Sequence, residues 1–197
     1  MNISIELKGT TPLLMHNPRM VDPEFDLNRQ IKALTVKKKK TDEDLRQIEK
    51  LEWYGGLYAK ENGDGRSRVV QPTSKVRKCL INAARISKMG KAVERALTFF
   101  ELDTPLIYDG PEDIDQLFAD AKYHSRLSVG LRGSRVMRVR PKFLPWIIRV
   151  DALFVEDAGL NYDDLQRIVE LAGIVEGIGD ARAIGYGRFI GKVGKAK

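Results

Sequence analysis

The chain has 197 residues, a net charge of +7, 43% hydrophobic residues and 31% charged ones, the balance of a globular protein with enough chain for one core. No apolar run reaches the length of a membrane span and the N-terminus lacks a secretory pattern, so no membrane partner is expected. The single cysteine, Cys79, excludes an internal disulfide and fits a reducing, cytoplasmic setting; no Cys/His cluster has metal-ligand spacing, so neither a metal nor a cofactor is expected.

Asn2 to Lys8 alternates, with Ile3, Ile5 and Leu7 on one face, and predicts a half-buried strand. Gly9-Thr10-Thr11-Pro12 ends it. Phe25 to Ala33 suits a short helix. Thr41, with Asp44 three residues on, marks the start of another, running to about Tyr58 and broken by Gly63-Asp64-Gly65. Residues 18–67 read as an insertion rising from the core, with the four lysines Lys37 to Lys40 solvated. Trp53, Tyr54 and Tyr58 suit a small local core ahead of base stacking.

Thr73 is the expected N-cap of a helix reaching Ser87, with Val76, Cys79, Leu80, Ala83 and Ile86 as its buried stripe. Lys75, Lys78 and Arg85 fall on a different face. Strands are expected at Leu97–Leu102, Leu106–Tyr108, Tyr123–Val129, Arg135–Arg140 and Trp146–Val155, with a short helix at Asp113–Asp120. Asn161 caps the last helix, and a final strand follows from Tyr186 to Val193. Without the insertion and the extra strands of the middle, the order is βαββαβ. That is the α+β pattern of ferredoxin-like and RNA-recognition folds, so 1–197 is expected to be a single domain.

The positive charge is concentrated. Arg66 to Arg95 holds nine basic residues against one acid, Glu94, and Ala121 to Val150 holds eight and no acid. This points to a polyanion, ahead of an acidic protein partner or a plainly solvated surface. Between the last helix and the last strand stand two Gly-x-Gly pairs, Gly177/Gly179 and Gly185/Gly187, five residues apart, with Arg182 between them and Arg188 after them. Glycine lets backbone approach another chain closely, and successive open N–H groups form an anion-binding concavity. The order helix–loop–strand excludes the dinucleotide fingerprint, and no Lys-Ser/Thr completes a Walker loop. A glycine-rich helix stop entering an edge strand is the plain alternative.

Three stretches together resemble the RAMP superfamily, the repeat-associated proteins of CRISPR effector and guide-processing complexes. Gly177 to Gly187 matches its glycine-rich loop. Gln71-Pro72-Thr73-Ser74-Lys75-Val76-Arg77-Lys78 looks like the helix start of its backbone subunits, with glycines replaced. Gly9-Thr10-Thr11-Pro12-Leu13-Leu14 is similar to their first-strand exit. The resemblance implies sequence-independent binding of single-stranded RNA, or DNA, by a homo-oligomer lined up along the strand, with CRISPR-type partner proteins. A stand-alone viral or mobile-element relative is equally open. The expected contacts are Gly177, Gly179, Arg182, Gly185, Gly187 and Arg188 in the loop, Lys75, Arg77 and Lys78 on the helix, and Arg135, Arg138, Arg140 and Lys142 along a strand.

Guide-processing members of that superfamily often use an early histidine with Tyr or Lys nearby, so the resemblance makes His16 the general-base candidate for a metal-independent endoribonuclease. Asp22 and Asp26 lie where some backbone subunits carry a catalytic aspartate. A loop residue, a turn and a helix start are the plain readings of these three. His124 suits nucleic-acid contact or sheet packing. The reading favoured by the residues is a binding protein.

Overall fold

The computed structural model describes residues 1–61, 63, 66–131 and 133–196. In chain order it contains β1 (Asn2–Gly9), β2 (Leu13–Leu14), α1 (Asp26–Thr35), α2 (Asp42–Gly56), β3 (Ala59–Glu61), β4 (Ser67–Pro72), α3 (Thr73–Ala84) and α4 (Gly90–Ala96). There follow β5 (Leu97–Phe99), β6 (Asp103–Tyr108), α5 (Ile114–Ala119), β7 (His124–Leu131), β8 (Ser134–Phe143), β9 (Trp146–Phe154), α6 (Tyr162–Leu171) and β10 (Phe189–Lys195). Contacts gather these elements into two units. One holds 1–13, 69–109 and 144–197, the other 14–68 and 110–143.

The first unit carries a sheet in the order β10-β1-β9-β6-β4, with β5 also pairing β9. Take β1, α3, β6, β9, α6 and β10 alone, and the connectivity is the expected βαββαβ, with the first and last strands side by side. Register explains the burial. Ile3, Ile5 and Leu7 face Ala152, Val150 and Ile148 across the β1–β9 ladder. All six are buried, because one face of each strand is apolar and period two puts that whole set inside. Val76, Leu80 and Ala83 of α3 and Leu165, Ile168 and Val169 of α6 close the same core. Each large apolar side chain so buried contributes about 1.5–3 kcal/mol.

Three local expectations change. Thr73 is the first helical residue, with Pro72 at the cap position; its hydroxyl instead donates to the carbonyl of Glu101 at 2.6 Å, a bond that sequence spacing does not reveal. Ile86 lies past the end of α3 in a 3-10 turn and is 64% exposed. The last strand starts at Phe189, because the residues before it belong to the glycine loop.

The second unit is built on the β7–β8 hairpin, paired from His124↔Pro141 to Leu131↔Ser134. Thr41 caps α2 in a reciprocal box with Asp44, as expected. Side-chain bonds to Lys37 and the backbone amide of Thr41 hold the Asp44 carboxyl below its usual range. Trp53 of α2 is fully buried and donates from Nε1 to the Tyr123 carbonyl at 3.0 Å. Its ring contacts Tyr54, Phe118 and His124 with centroids 5.2, 5.4 and 5.7 Å away. This aromatic cluster is the unit's local core. Asp64 and Gly65, expected to break the preceding helix, lie outside the described residues; α2 already ends at Gly56.

Candidate nucleic-acid interface

α6 runs into a π-helical turn, Ala172–Glu176, and Gly177 follows with φ +69. The loop is closed at its base: Ile178 N donates to Gly187 O at 2.9 Å, and Gly187 N donates to Pro12 O at 2.8 Å. A Cβ on Gly187 would stand 1.8 Å from Ile178 O, and one on Gly177 would stand 2.9 Å from Gly187 O. The inner glycines are therefore demanded by the loop's own backbone. Their amides are spent, with Gly177 N donating to Ala172 O at 2.8 Å. This corrects the expectation of an open run of N–H groups at those two positions. The outer pair differs. Gly179 and Gly185 have φ +88 and +96 and are partly exposed. A Cβ on Gly185 would meet nothing within 4 Å. Between them Arg182–Ile184 forms a 3-10 turn.

The exit of β1 grips this loop. Thr11 Oγ1 donates to Gly185 O at 2.9 Å and accepts from Arg188 N at 2.8 Å. Thr10 N donates to Arg188 O at 2.8 Å, and Trp146 Nε1 donates to Thr11 O at 2.8 Å. Helix α3 holds the other side. Cys79 Sγ donates to Gly177 O at 3.1 Å, while Glu176 Oε2 accepts from Asn82 at 3.4 Å and from Arg182 Nη1 at 3.0 Å. Burial, then the Glu176 carboxylate, pushes the Cys79 thiol up to about 12, so it stays a neutral donor.

The expected basic residues separate by helical phase. Lys75 and Lys78 are exposed and share the stripe of Asn82, at spacings of seven and four residues. Arg77 points the other way, donating to Glu94 O at 2.8 Å and pairing with its carboxylate at 3.6 Å. Arg182 is tied to Glu176. Arg188 Nη2 braces the Arg182 carbonyl at 3.2 Å, and its buried Nη1 meets no partner among the described residues. In the first unit the loop rim, Lys75 and Lys78 are thus brought to one side.

Arg135, Arg138, Arg140 and Lys142 belong to the second unit. Alternation puts Arg138, Arg140 and Lys142 on one face of β8 and Arg135 on the other, where Arg135 Nε donates to Ser128 Oγ at 2.9 Å. Arg138 is ion-paired to Glu52, whose second oxygen accepts from Val139 N at 3.0 Å. Burial, with Arg138 adding to it and Glu52 opposing, holds the Arg140 guanidinium below its usual value. His16 joins Arg138, Arg140, Glu52, Asn28 and Met20 around a cavity of about 410 Å³.

Asp22 and Asp26 have local duties. Asp22 Oδ1 accepts from Glu24 N at 2.9 Å. Asp26 opens α1 and accepts from Gln30 at 2.6 Å. His124 stacks on Trp53 with Nε2 2.7 Å from Phe118 O, which favours packing. Sequence reading missed Asn82, Glu176 and Glu52. A polar residue continuing the stripe of Lys75 and Lys78 on α3 was the available signal for the first; the other two needed tertiary structure. Among the described residues, no three His, Cys, Asp or Glu side chains cluster to hold a metal, and no helix is long and apolar enough to cross a membrane.

No family model matches the chain, and no curated protein matches it. Among solved structures, a chain of the cryo-EM structure of the Type III-B Cmr-beta bound to cognate target RNA is similar, with a TM-score of 0.55 and 13% identity. The match covers 100% of this chain and 61% of that one. At that identity the likeness is one of fold: the antiparallel sheet and helices described above are an architecture shared with a chain of the Cmr-beta structure.

Proposed function

We propose that the chain binds single-stranded nucleic acid, RNA before DNA, without regard to sequence, and that copies line up along the strand as the RAMP resemblance implies. The contact face is the rim of the glycine loop, at Gly179, Arg182 and Gly185, together with Lys75 and Lys78 of α3. One observation carries this reading. Two of the three stretches that resemble the RAMP superfamily are bonded directly, β1 exit to loop through Thr11, and the helix that the third stretch begins is bonded to the loop and to Glu176 just before it through Cys79 and Asn82. They build a single rigid rim beside exposed lysines, with no acid on α3 to oppose them. The fold shared with a chain of an RNA-bound complex agrees with RNA as the strand. Purification without nuclease tests it. Co-purified RNA in a ladder of fixed increments is the expected result; protein free of nucleic acid, or retaining only a protein partner, rejects it in favour of a protein-docking module.

A second reading is metal-independent cleavage of RNA by His16. The observation favouring it is that His16 shares a cavity with Arg138 and Arg140, which suit a developing phosphorane charge. Cleavage of structured RNA in chelator, lost in His16→Ala, supports it; intact RNA after long incubation rejects it.

A further inference from the structure

A carboxylate stands between the two halves of the proposed contact face. Glu176 ends the π-helical turn before Gly177. It accepts from Asn82, on the stripe of Lys75 and Lys78, at 3.4 Å and from Arg182 of the loop rim at 3.0 Å. The Asn82 amide is held in that orientation, because its Oδ1 accepts from Arg85 Nη1 at 3.3 Å. Both bonds to Glu176 fall on Oε2; among the described residues Oε1 accepts none. The side chain is 26% exposed, so a ligand can reach it.

This charge repels phosphates. A strand lying over the face also strips water from Oε1, a loss that only an incoming donor offsets. Phosphodiesters carry no donor. Bases do, but their donor pattern changes from base to base, which does not suit binding indifferent to sequence. The ribose 2′-hydroxyl is a donor present on every ribonucleotide and on no deoxyribonucleotide.

We infer that Glu176 selects RNA over DNA: its Oε1 accepts a hydrogen bond from a ribose 2′-hydroxyl of the bound strand, while Oε2 keeps Asn82 and Arg182 in place. The inference rests on the strand-binding reading above and adds to it the residue that tells the two sugars apart.

The test is fluorescence anisotropy of the full chain with labelled oligomers of uridine, deoxyuridine and 2′-O-methyluridine of equal length. The ribose strand should bind at least about tenfold more tightly than the other two, because a hydrogen bond to a charged acceptor is gained only there. The methyl ether keeps the oxygen but lacks the proton. Glu176→Ala should bring the ribose and deoxyribose strands to within about twofold of each other, the deoxyribose strand gaining because a like charge has left the face. Glu176→Gln fills the same space and keeps an uncharged acceptor, so it should give an intermediate ratio. A merely structural Glu176 would instead weaken both strands together and leave their ratio in place. Equal affinity of the native chain for ribose and deoxyribose, or a preference that survives Glu176→Ala, overturns the inference and leaves strand binding standing. A native chain that binds neither strand removes strand binding itself, and the inference with it.

Discussion

The thiol of Cys79 lies 3.1 Å from the carbonyl oxygen of Gly177 and joins the middle of α3 to the base of the glycine loop. A lone buried cysteine in an apolar stripe looks like core filler, and its side chain does pack there. Its proton, however, satisfies a carbonyl that the left-handed Gly177 turns into the interior. Because the thiol is pushed up from 9.0 to about 12, its neutral form is favoured in the folded chain. The stability it contributes is whole below the ordinary thiol pKa. It erodes as pH rises from about 9 towards about 12, since only the unfolded chain then releases the proton. Urea unfolding across that range should show a steeper loss for the native chain than for Cys79→Ala. At pH 8 a thiol reagent should react with Cys79 only after unfolding.

The four loop glycines should not respond alike to alanine. Gly187→Ala places a methyl 1.8 Å from a backbone oxygen that cannot move without opening the loop. A loss of more than about 3 kcal/mol is expected from denaturant unfolding. Gly185→Ala meets no atom within 4 Å and pays only for its positive φ, about 1–2 kcal/mol.

Helical phase predicts which α3 charges matter for binding. Lys75→Ala and Lys78→Ala should each lower the salt slope of strand binding by about 1. Arg77→Ala should leave the slope unchanged, because that guanidinium is turned to Glu94. Fluorescence anisotropy with a labelled homopolymer, repeated over a salt series, reads this directly.

The Arg138–Glu52 pair ties β8 to α2 in the second unit. Glu52 is 9% exposed at its side chain and also satisfies Val139 N. Glu52→Ala leaves a guanidinium and an amide short of an acceptor and should cost about 2 kcal/mol. Glu49→Ala breaks the more exposed Arg126 pair and should cost less than about 1 kcal/mol. Thermal unfolding of the two variants gives the comparison.

Much of the sheet was legible because its signal is periodic. Ile3-x-Ile5-x-Leu7 and Ile148-x-Val150-x-Ala152 write their buried face into the chain, and the capping residues Thr41 and Asn161 mark helix starts by local chemistry alone. What stayed hidden depends on partners distant in sequence. Gly177 and Gly187 read as surfaces for a ligand, since nothing local says that each is wedged against the other side of its own loop. Thr73 looked like a cap because its real acceptors, Glu101 and Leu102, lie past the end of another strand. Arg77 and Lys78 are adjacent in sequence, yet about 100° of helical rotation separates an ion pair from an exposed cation.

The most direct measurement of the central proposal is the salt dependence of single-strand RNA affinity for the intact chain. Between about 50 and about 200 mM salt the affinity should fall at least tenfold, with a log–log slope steeper than about −2 that shrinks in the Lys75→Ala/Lys78→Ala double variant. A flat curve, or a slope identical in the double variant and the native chain, would contradict the assignment of the α3–glycine-loop face as the contact.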